Sequence, residues 1–207
     1  MIINIRGTNG SGKTTLAMRL VTPTTHDTDW NNHIITSYDA ETKKGTVRKY
    51  IHGTFSPVTG VLLVGRYGDV NCGGMDRVPT TQLCIDAVQA AAQTRSINGV
   101  QVRAVVFEGS LISTVYATWR ETAQRLREST GRRFLWTYLH TPVETCIERV
   151  RARTGDKART KTIEDKHRAV MATRRKALDS GELVLDVLGE SVAVDAAAVL
   201  ARIAEND

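Results

Sequence analysis

The sequence lacks a long hydrophobic run, because no stretch reaches the roughly 18 uncharged apolar residues that a membrane-spanning helix needs. It also lacks the basic and apolar regions of a signal or transit peptide. Its first residues, MIINIRGTNGSGK, already have the character of a strand and a glycine-rich turn. We therefore expect a cytoplasmic protein that makes no contact with membranes.

Cysteine is also scarce. The three cysteines, Cys72, Cys84 and Cys146, are odd in number, far apart and without a CxxC pair. This pattern argues against a disulfide framework, a zinc site or a redox-active pair. We expect three free thiols.

Length, composition and charge indicate one globular domain and the kind of partner it binds. The 207 residues, 41% of them hydrophobic and 24% charged, suit one globular domain over residues 1–207. The net charge is +6, but residues 149–176 alone hold eleven Lys and Arg against three acidic residues, a local charge of +8. Positive charge concentrated in this way favours a polyanionic partner such as a nucleic acid.

Strand and helix patterns alternate along the chain. Residues 102–107 form a near-continuous apolar run, which is typical of a central strand covered by helices on both faces. We predict further strands over residues 2–6, 47–52, 61–66, 134–139 and 183–187, and helices over residues 12–20, 81–95, about 115–126, from 141 and from 162 onward, and over 196–204. The pattern indicates an α/β fold with a mostly parallel sheet.

Two segments interrupt this alternation. Residues 22–45 are polar with little periodicity and are predicted to form a loop. Residues 46–66, approximately, are predicted to form a hairpin-like insertion, because two strand patterns flank a connection that contains glycine and proline.

A phosphate-loop motif is the strongest chemical signal. Residues 7–14 read GTNGSGKT, which fits GxxxxGK[ST] and lies between a predicted strand and a predicted helix, as this motif requires. Its glycines let backbone N–H groups surround phosphate oxygens, Lys13 reaches the terminal phosphates, and Thr14 offers a hydroxyl to Mg²⁺. We therefore expect ATP and Mg²⁺ as cofactors. The predicted cofactor-binding residues are Gly7, Thr8, Asn9, Gly10, Ser11, Gly12, Lys13, Thr14 and Thr15.

Two carboxylates are candidates for the chemistry of such a site. Glu108 directly follows the apolar strand at 102–107, and ligands of open α/β sheets bind at the carboxyl ends of strands. Asp76 lies in CGGMDR, whose paired glycines allow a ligand to approach the backbone closely. We predict that Glu108 joins Thr14 in the magnesium shell and that Asp76 acts on an acceptor hydroxyl, with exchange of the two roles as the alternative.

A basic helix is predicted to follow the strand at 134–139. Thr141-Pro142-Val143-Glu144 predicts its start, with Thr141 as N-cap and Glu144 completing a capping box. Arg149 and Arg153 are four residues apart on this helix and share one face, so that both guanidinium groups can reach one phosphate chain. We predict that they belong to an arginine-rich lid within residues 149–176.

The motifs favour phosphoryl transfer over other uses of a nucleotide. The guanine-reading NKxD of GTPases is absent, and a helicase or packaging motor normally needs a longer chain with further motifs. Kinase chemistry requires magnesium, a carboxylate beside the acceptor hydroxyl, and cations that stabilise the transferring phosphoryl group. The candidate catalytic residues are Lys13, Asp76, Glu108, Arg149 and Arg153.

Four blocks of sequence, in this order, resemble a known family. They are GRYGDVNCGGMDRVPT at 65–80, VFEGSLIS at 106–113, YLHTPVETCIERVRAR at 138–153 and DKHRAVMATRRKAL at 165–178. Together they resemble the phage-encoded P-loop kinases that include 5-hydroxymethyluracil DNA kinases. The resemblance spans most of residues 1–180 and implies a P-loop NTPase kinase-like, three-layer fold.

The same resemblance implies a substrate. It implies that the γ-phosphate of ATP is transferred to the hydroxymethyl group of 5-hydroxymethyluracil, or of a related 5-hydroxymethylpyrimidine, already in DNA. Such a reaction is a step of phage DNA hypermodification in the host cytoplasm.

Two other functions remain open on the sequence alone. A kinase of a free nucleoside or nucleotide shares the phosphate loop and the arginine lid, and its lid would explain part of the local +8 without DNA. A non-enzymatic, ATP-dependent DNA-binding switch is the second alternative, and it would require Asp76 and Glu108 to be dispensable.

Overall fold

A mostly parallel sheet is the centre of the computed structural model, which describes residues 1–22, 34–41, 47–67, 73–155 and 159–205. The described strands are β1 (Ile2–Arg6), β2 (Ile34–Glu41), β3 (Val47–Ser56), β4 (Val61–Val64), β5 (Ser96–Ile97), β6 (Val100–Gln101), β7 (Ala104–Glu108), β8 (Phe134–Leu139) and β9 (Val184–Val187). The described helices are α1 (Lys13–Val21), α2 (Thr81–Gln93), α3 (Ser110–Thr114), α4 (Ala117–Thr130), α5 (Val143–Thr154), α6 (Thr160–Asp179) and α7 (Val192–Ala204), with a short 3₁₀ helix at Met75–Arg77.

Seven of the described strands form one sheet in the order β2-β3-β4-β7-β1-β8-β9. The strands from β4 to β9 in this order run parallel to their neighbours. Helices α1 and α7 contribute to the core on one face, and α2, α4 and α6 contribute to the core on the other. The predicted three-layer α/β fold with a mostly parallel sheet is therefore confirmed.

The predicted hairpin is present but belongs to the main sheet. Strands β3 and β4 pair antiparallel, with Gly53 opposite Val64. Strand β4 also pairs parallel with β7, with Leu62 opposite Val105, so β4 is a buried sheet strand rather than part of an appended insertion.

One loop prediction is wrong. Residues 34–41, within the segment predicted to be a loop, form β2, which pairs antiparallel with β3. The pairing partner satisfies the backbone hydrogen bonds of β2, so a strand forms here without a strong hydrophobic alternation of its own. The rest of that predicted loop, residues 23–33 and 42–46, lies outside the described residues.

Strand β1 shows how the sheet separates two cores. Ile3 and Ile5 pack in the cluster that includes α1 and α7, whereas Ile2 packs in the cluster that includes α2 and α4. Because successive side chains of a strand point to opposite faces, Arg6 shares the face of Ile2. The Arg6 side chain is consequently buried at the end of the strand that leads into the phosphate loop.

Carbonyl and aromatic groups stabilise the buried Arg6 guanidinium. It donates hydrogen bonds to the carbonyl oxygens of Val115 (2.9 Å) and Ser113 (3.5 Å), and its central carbon lies 4.4 Å from the ring centroid of Trp136. Burial lowers the pKa of Arg6 to about 10, so the side chain stays charged near neutral pH. Arg6 thereby fixes the end of α3 next to the start of the phosphate loop.

The predicted capping box at Thr141 is wrong, although the helix is present. Pro142 occupies the N-cap position of α5, and no side chain caps the helix. The buried Thr141 hydroxyl instead donates to the backbone oxygen of Ser11 at 2.8 Å. The acceptor belongs to the phosphate loop, and the threonine therefore joins the start of α5 to that loop.

Two further expectations can be compared with the described residues. Cys84 and Cys146 are free, as predicted, and both are buried, whereas Cys72 lies outside the described ranges. Among the helices of the described ranges, none has the length and apolar character needed to cross a bilayer.

Replacement of Thr141 by valine tests the link between α5 and the phosphate loop. The variant keeps the shape of the side chain but removes the hydrogen bond to Ser11, and we expect about fivefold weaker ATP binding, the equivalent of about 1 kcal/mol. Isothermal titration with ATP measures this. Thr154→Val, which removes a hydroxyl that bonds within α5, is the matched control, and equal affinities of the two variants would contradict the role of Thr141.

Candidate active site

The phosphate loop joins the end of β1 to the start of α1. Gly12 is the N-cap of α1 and has a φ of 99°, in the left-handed region that favours glycine. The first N–H groups of a helix have no acceptor within the helix and attract anions. The loop therefore presents donors to a phosphate chain at the carboxyl end of β1.

A cavity of about 1410 Å³ opens over this loop. Its size suits a nucleotide together with part of a second substrate. The predicted site residues that line it are Asn9, Gly10, Ser11, Gly12, Lys13, Thr14, Thr15, Asp76, Glu108, Arg149 and Arg153. The fold thus brings together all five candidate catalytic residues.

Gly7 and Thr8 do not line the cavity and are bonded to other parts of the protein instead. The Gly7 N–H donates to the Ser113 hydroxyl at 3.2 Å, and the Thr8 hydroxyl donates to the backbone oxygen of Ile163 at 3.2 Å. These bonds connect the loop to α3 and to α6. Direct contact of Gly7 and Thr8 with a cofactor stays a prediction.

Lys13 is almost fully buried, with 5% of its surface exposed. Its Nζ atom donates to the backbone oxygen of Thr8 at 3.0 Å and to the hydroxyl of Ser110 at 3.3 Å. Burial lowers the pKa of Lys13, and the nearby carboxylates of Glu108 and Asp76 oppose that shift. Anionic phosphates beside Lys13 would favour its charged form in the same way.

Glu108 lies next to Thr14 because β7 and β1 are neighbours in the sheet. The register pairs Glu108 with Ile5, and the Thr14 hydroxyl donates to Oε1 of Glu108 at 2.9 Å. Burial raises the pKa of this carboxyl, and the charge of Lys13 opposes the shift. A hydroxyl and a carboxylate oxygen at one point are the hard ligands that Mg²⁺ prefers, so the residues fit this metal.

Asp76 has an exposed carboxylate at the wall of the cavity. Its oxygens accept hydrogen bonds from the backbone N–H groups of Ser110 (2.8 Å) and Leu111 (3.1 Å) in the first turn of α3. These two bonds fix the orientation of the carboxylate. Asp76 and Glu108 are thus two differently placed acids, one accessible and one buried.

The paired glycines before Asp76 have different surroundings. Gly73 lines the cavity, as a ligand-approach role requires. Gly74 has a φ of 53°, and a Cβ atom on it would lie 2.3 Å from Oε1 of Glu108. The close approach at Gly74 is therefore to the buried carboxylate of the protein itself.

The two candidate lid arginines lie on α5. Arg149 donates to the backbone oxygens of Gly10 at 3.4 Å and Gly189 at 3.5 Å, so it contacts the phosphate loop directly. Arg153, one turn later, also lines the cavity. Residues 156–158, between α5 and α6, lie outside the described ranges, and closure of a lid stays a prediction.

Three contributions to the site were not predicted from the sequence. Ser110 binds Lys13, and its position two residues after Glu108 was the available signal. The loop after β9 lines the cavity and is fixed by a 3.0 Å bond from the Gly189 N–H to the Asp195 carboxylate. Burial lowers the pKa of Lys13, and the positive charge of Lys166 on α6 adds to that shift.

Replacement of Gly74 by alanine tests the packing behind Glu108. The new methyl group must displace the carboxylate, so we expect at least about fivefold weaker Mg²⁺ binding in the presence of ATP and about 1–3 kcal/mol loss of unfolding free energy. Titration calorimetry and urea unfolding measure the two effects. Gly99→Ala, at a φ of 81° with open space around the new Cβ, is the control for a methyl group at positive φ without a clash. Wild-type Mg²⁺ affinity in Gly74→Ala would contradict the assignment of Glu108 to the magnesium site.

The chain is similar in sequence to kinases of bacteriophages. The sequence model of the 5-hmdU DNA kinase family matches residues 1–181. The 5-hmdU DNA kinase of Pseudomonas phage M6 is 34% identical over 203 residues, 96% of each chain, and that of Delftia phage PhiW-14 is 27% identical over 92% of this chain and 70% of its own. The solved structure of a deoxyadenosine kinase from M. mycoides with bound dCTP covers 99% of this chain and 100% of its own, with 12% identity and a TM-score of 0.48. The chain is a kinase, and it belongs to the 5-hmdU DNA kinase family.

Proposed function

We propose that this kinase transfers the γ-phosphate of ATP to the hydroxymethyl group of 5-hydroxymethyluracil, or of a related 5-hydroxymethylpyrimidine, in DNA. The observation that carries the proposal is the family match over residues 1–181, since that range includes every candidate catalytic residue. The clustering of those residues around one cavity supports it. We also propose that residues 1–207 form one domain that acts in the cytoplasm of the phage host.

The phosphate loop and its neighbours would hold ATP and Mg²⁺. The N–H groups at the start of α1 and the ammonium group of Lys13 bind the phosphate chain, and Thr14 and Glu108 hold the metal. Mg²⁺ held by Thr14 and Glu108 would supply positive charge that neutralises the phosphates. Arg149, which is bonded to the phosphate loop at Gly10 and to the loop after β9 at Gly189, would also reach the phosphate chain.

Asp76 would orient the acceptor. Its carboxylate accepts a hydrogen bond from the hydroxymethyl group, whose oxygen attacks the γ-phosphorus while the bond to the β-phosphate oxygen breaks. The hydroxyl proton passes to Asp76 and then to solvent, and ADP leaves. Lys13 and Arg153 stabilise the negative charge of the transferring group.

One labelling experiment tests the substrate. The protein is incubated with γ-labelled ATP and, in parallel, DNA that contains 5-hydroxymethyluracil, the same DNA with thymine, or free 5-hydroxymethyldeoxyuridine. Digestion of the product to nucleosides then locates the label. We expect label only on the modified base of the first DNA, and none with Lys13→Ala. Label on the free nucleoside alone would instead establish the nucleoside-kinase alternative, and no label with any acceptor would favour the binding switch.

Variants of the two carboxylates separate their roles. We expect Asp76→Asn to lose at least about a hundredfold in turnover while it still binds ATP, because the acceptor hydroxyl loses its proton acceptor. Glu108→Gln is expected to raise the Mg²⁺ concentration that gives half-maximal rate by about tenfold or more. A magnesium titration of both variants checks this, with Asp86→Asn, an exposed carboxylate on α2, as control. A raised magnesium requirement in Asp76→Asn alone would reverse the assignment.

A further inference from the structure

A large apolar side chain is exposed beside the proposed acceptor carboxylate. Leu111, in the first turn of α3, is 64% exposed, and Val115 just after this helix is 40% exposed. The Leu111 N–H donates to Oδ1 of Asp76 at 3.1 Å. Single exposed leucines are common on protein surfaces, so the significance of Leu111 lies in this position rather than in its exposure.

The proposed chemistry requires a base to enter a confined space. Glu108, Lys13 and Ser110 are 1%, 5% and 8% exposed, and they line the same cavity as Asp76. A nucleobase that remains stacked in a duplex cannot bring its substituent into such a cavity, and enzymes that modify bases rotate the target nucleotide out of the helix. The rotated nucleotide leaves a gap in the stack next to the protein surface that holds the acceptor.

We propose that Leu111 fills this gap, as an apolar wedge that stabilises the rotated state of the target nucleotide. The inference rests on the proposed function and adds to it that the substrate is duplex DNA and that its opening depends on this side chain. Proteins that open or kink DNA insert Leu, Ile, Phe or Met between base steps in this way.

The surroundings of α3 make it a rigid support for such a wedge. The Ser113 hydroxyl donates to the backbone oxygen of Gly109 at 2.6 Å and accepts from the Gly7 N–H. The Ser113 backbone oxygen accepts hydrogen bonds from Arg6 and from Thr173 of α6. The short helix is thus bonded to the phosphate loop and to α6. These bonds hold the helix in place when its side chain is inserted between two base pairs.

Asp76 connects the proposed wedge with the proposed position of the acceptor hydroxyl. The same carboxylate is bonded to the Leu111 backbone and faces the cavity in which the rotated base would lie. A nucleotide whose hydroxymethyl group reaches Asp76 is therefore bound next to the helix that carries the exposed Leu111.

Leu111→Ala tests the proposal on two forms of one substrate. The substrates are an oligonucleotide with a single 5-hydroxymethyluracil, either annealed to its complement or single-stranded. We expect at least about a tenfold loss of kcat/KM on the duplex and less than about a twofold change on the single strand. Leu111→Phe, which keeps a large apolar side chain at this position, should retain the wild-type kcat/KM on the duplex. Leu178→Ala, which truncates a 46% exposed leucine near the end of α6, should leave both values unchanged.

A fluorescence measurement reports base opening without turnover. 2-Aminopurine replaces the adenine opposite the modified base, and the complex is formed with the β,γ-imido analogue of ATP. Wild-type protein should increase the fluorescence as the pair opens, and Leu111→Ala should reduce this increase.

The outcomes separate the inference from the proposed function. If the wild-type protein labels neither DNA, the proposed function fails. If it labels only the single strand, or if Leu111→Ala changes both substrates equally or not at all, the proposed function stands and the wedge is overturned.

Discussion

The pairing of β1 with β7 is the constraint on which the site depends. It places the strand that ends in the phosphate loop beside the strand that ends in Glu108, so that a hydroxyl from α1 and a carboxylate from β7 meet at 2.9 Å. Neither strand by itself could bring these two groups together. The pairing of β8 on the other side of β1 brings Thr141 and α5 to the same loop.

Two positively charged side chains next to the phosphate loop are buried. Arg6 and Lys13 lie at opposite ends of the phosphate loop, and both are removed from solvent. Carbonyl oxygens and an aromatic ring surround Arg6, which suits a permanent structural cation. Lys13 donates to a carbonyl and a hydroxyl, and the charges of two nearby carboxylates act on it, which suits a cation whose main partner is a bound phosphate.

Much of the fold was predictable because its signals are local. The phosphate loop, β8 and the run that became β7 each carry their own pattern, and the strand-end position of Glu108 followed from that run. Strand β2 was missed because its stability comes from pairing with β3. The capping box at Thr141 failed for a similar reason, since the acceptor of the hydroxyl, Ser11, is 130 residues away in the chain. The partners of Asp76 and the clash at Gly74 likewise arise from contacts between distant segments.

Helix α6 is bonded both to the phosphate loop and to the short helix α3. It accepts a hydrogen bond from Thr8 of the phosphate loop through the Ile163 carbonyl, and it donates one to the end of α3 through Thr173. The phosphate loop and the helix that is bonded to Asp76 consequently share one support, which lies behind the residues that line the cavity. A movement of α6 would therefore shift the phosphate loop and α3 together rather than one relative to the other.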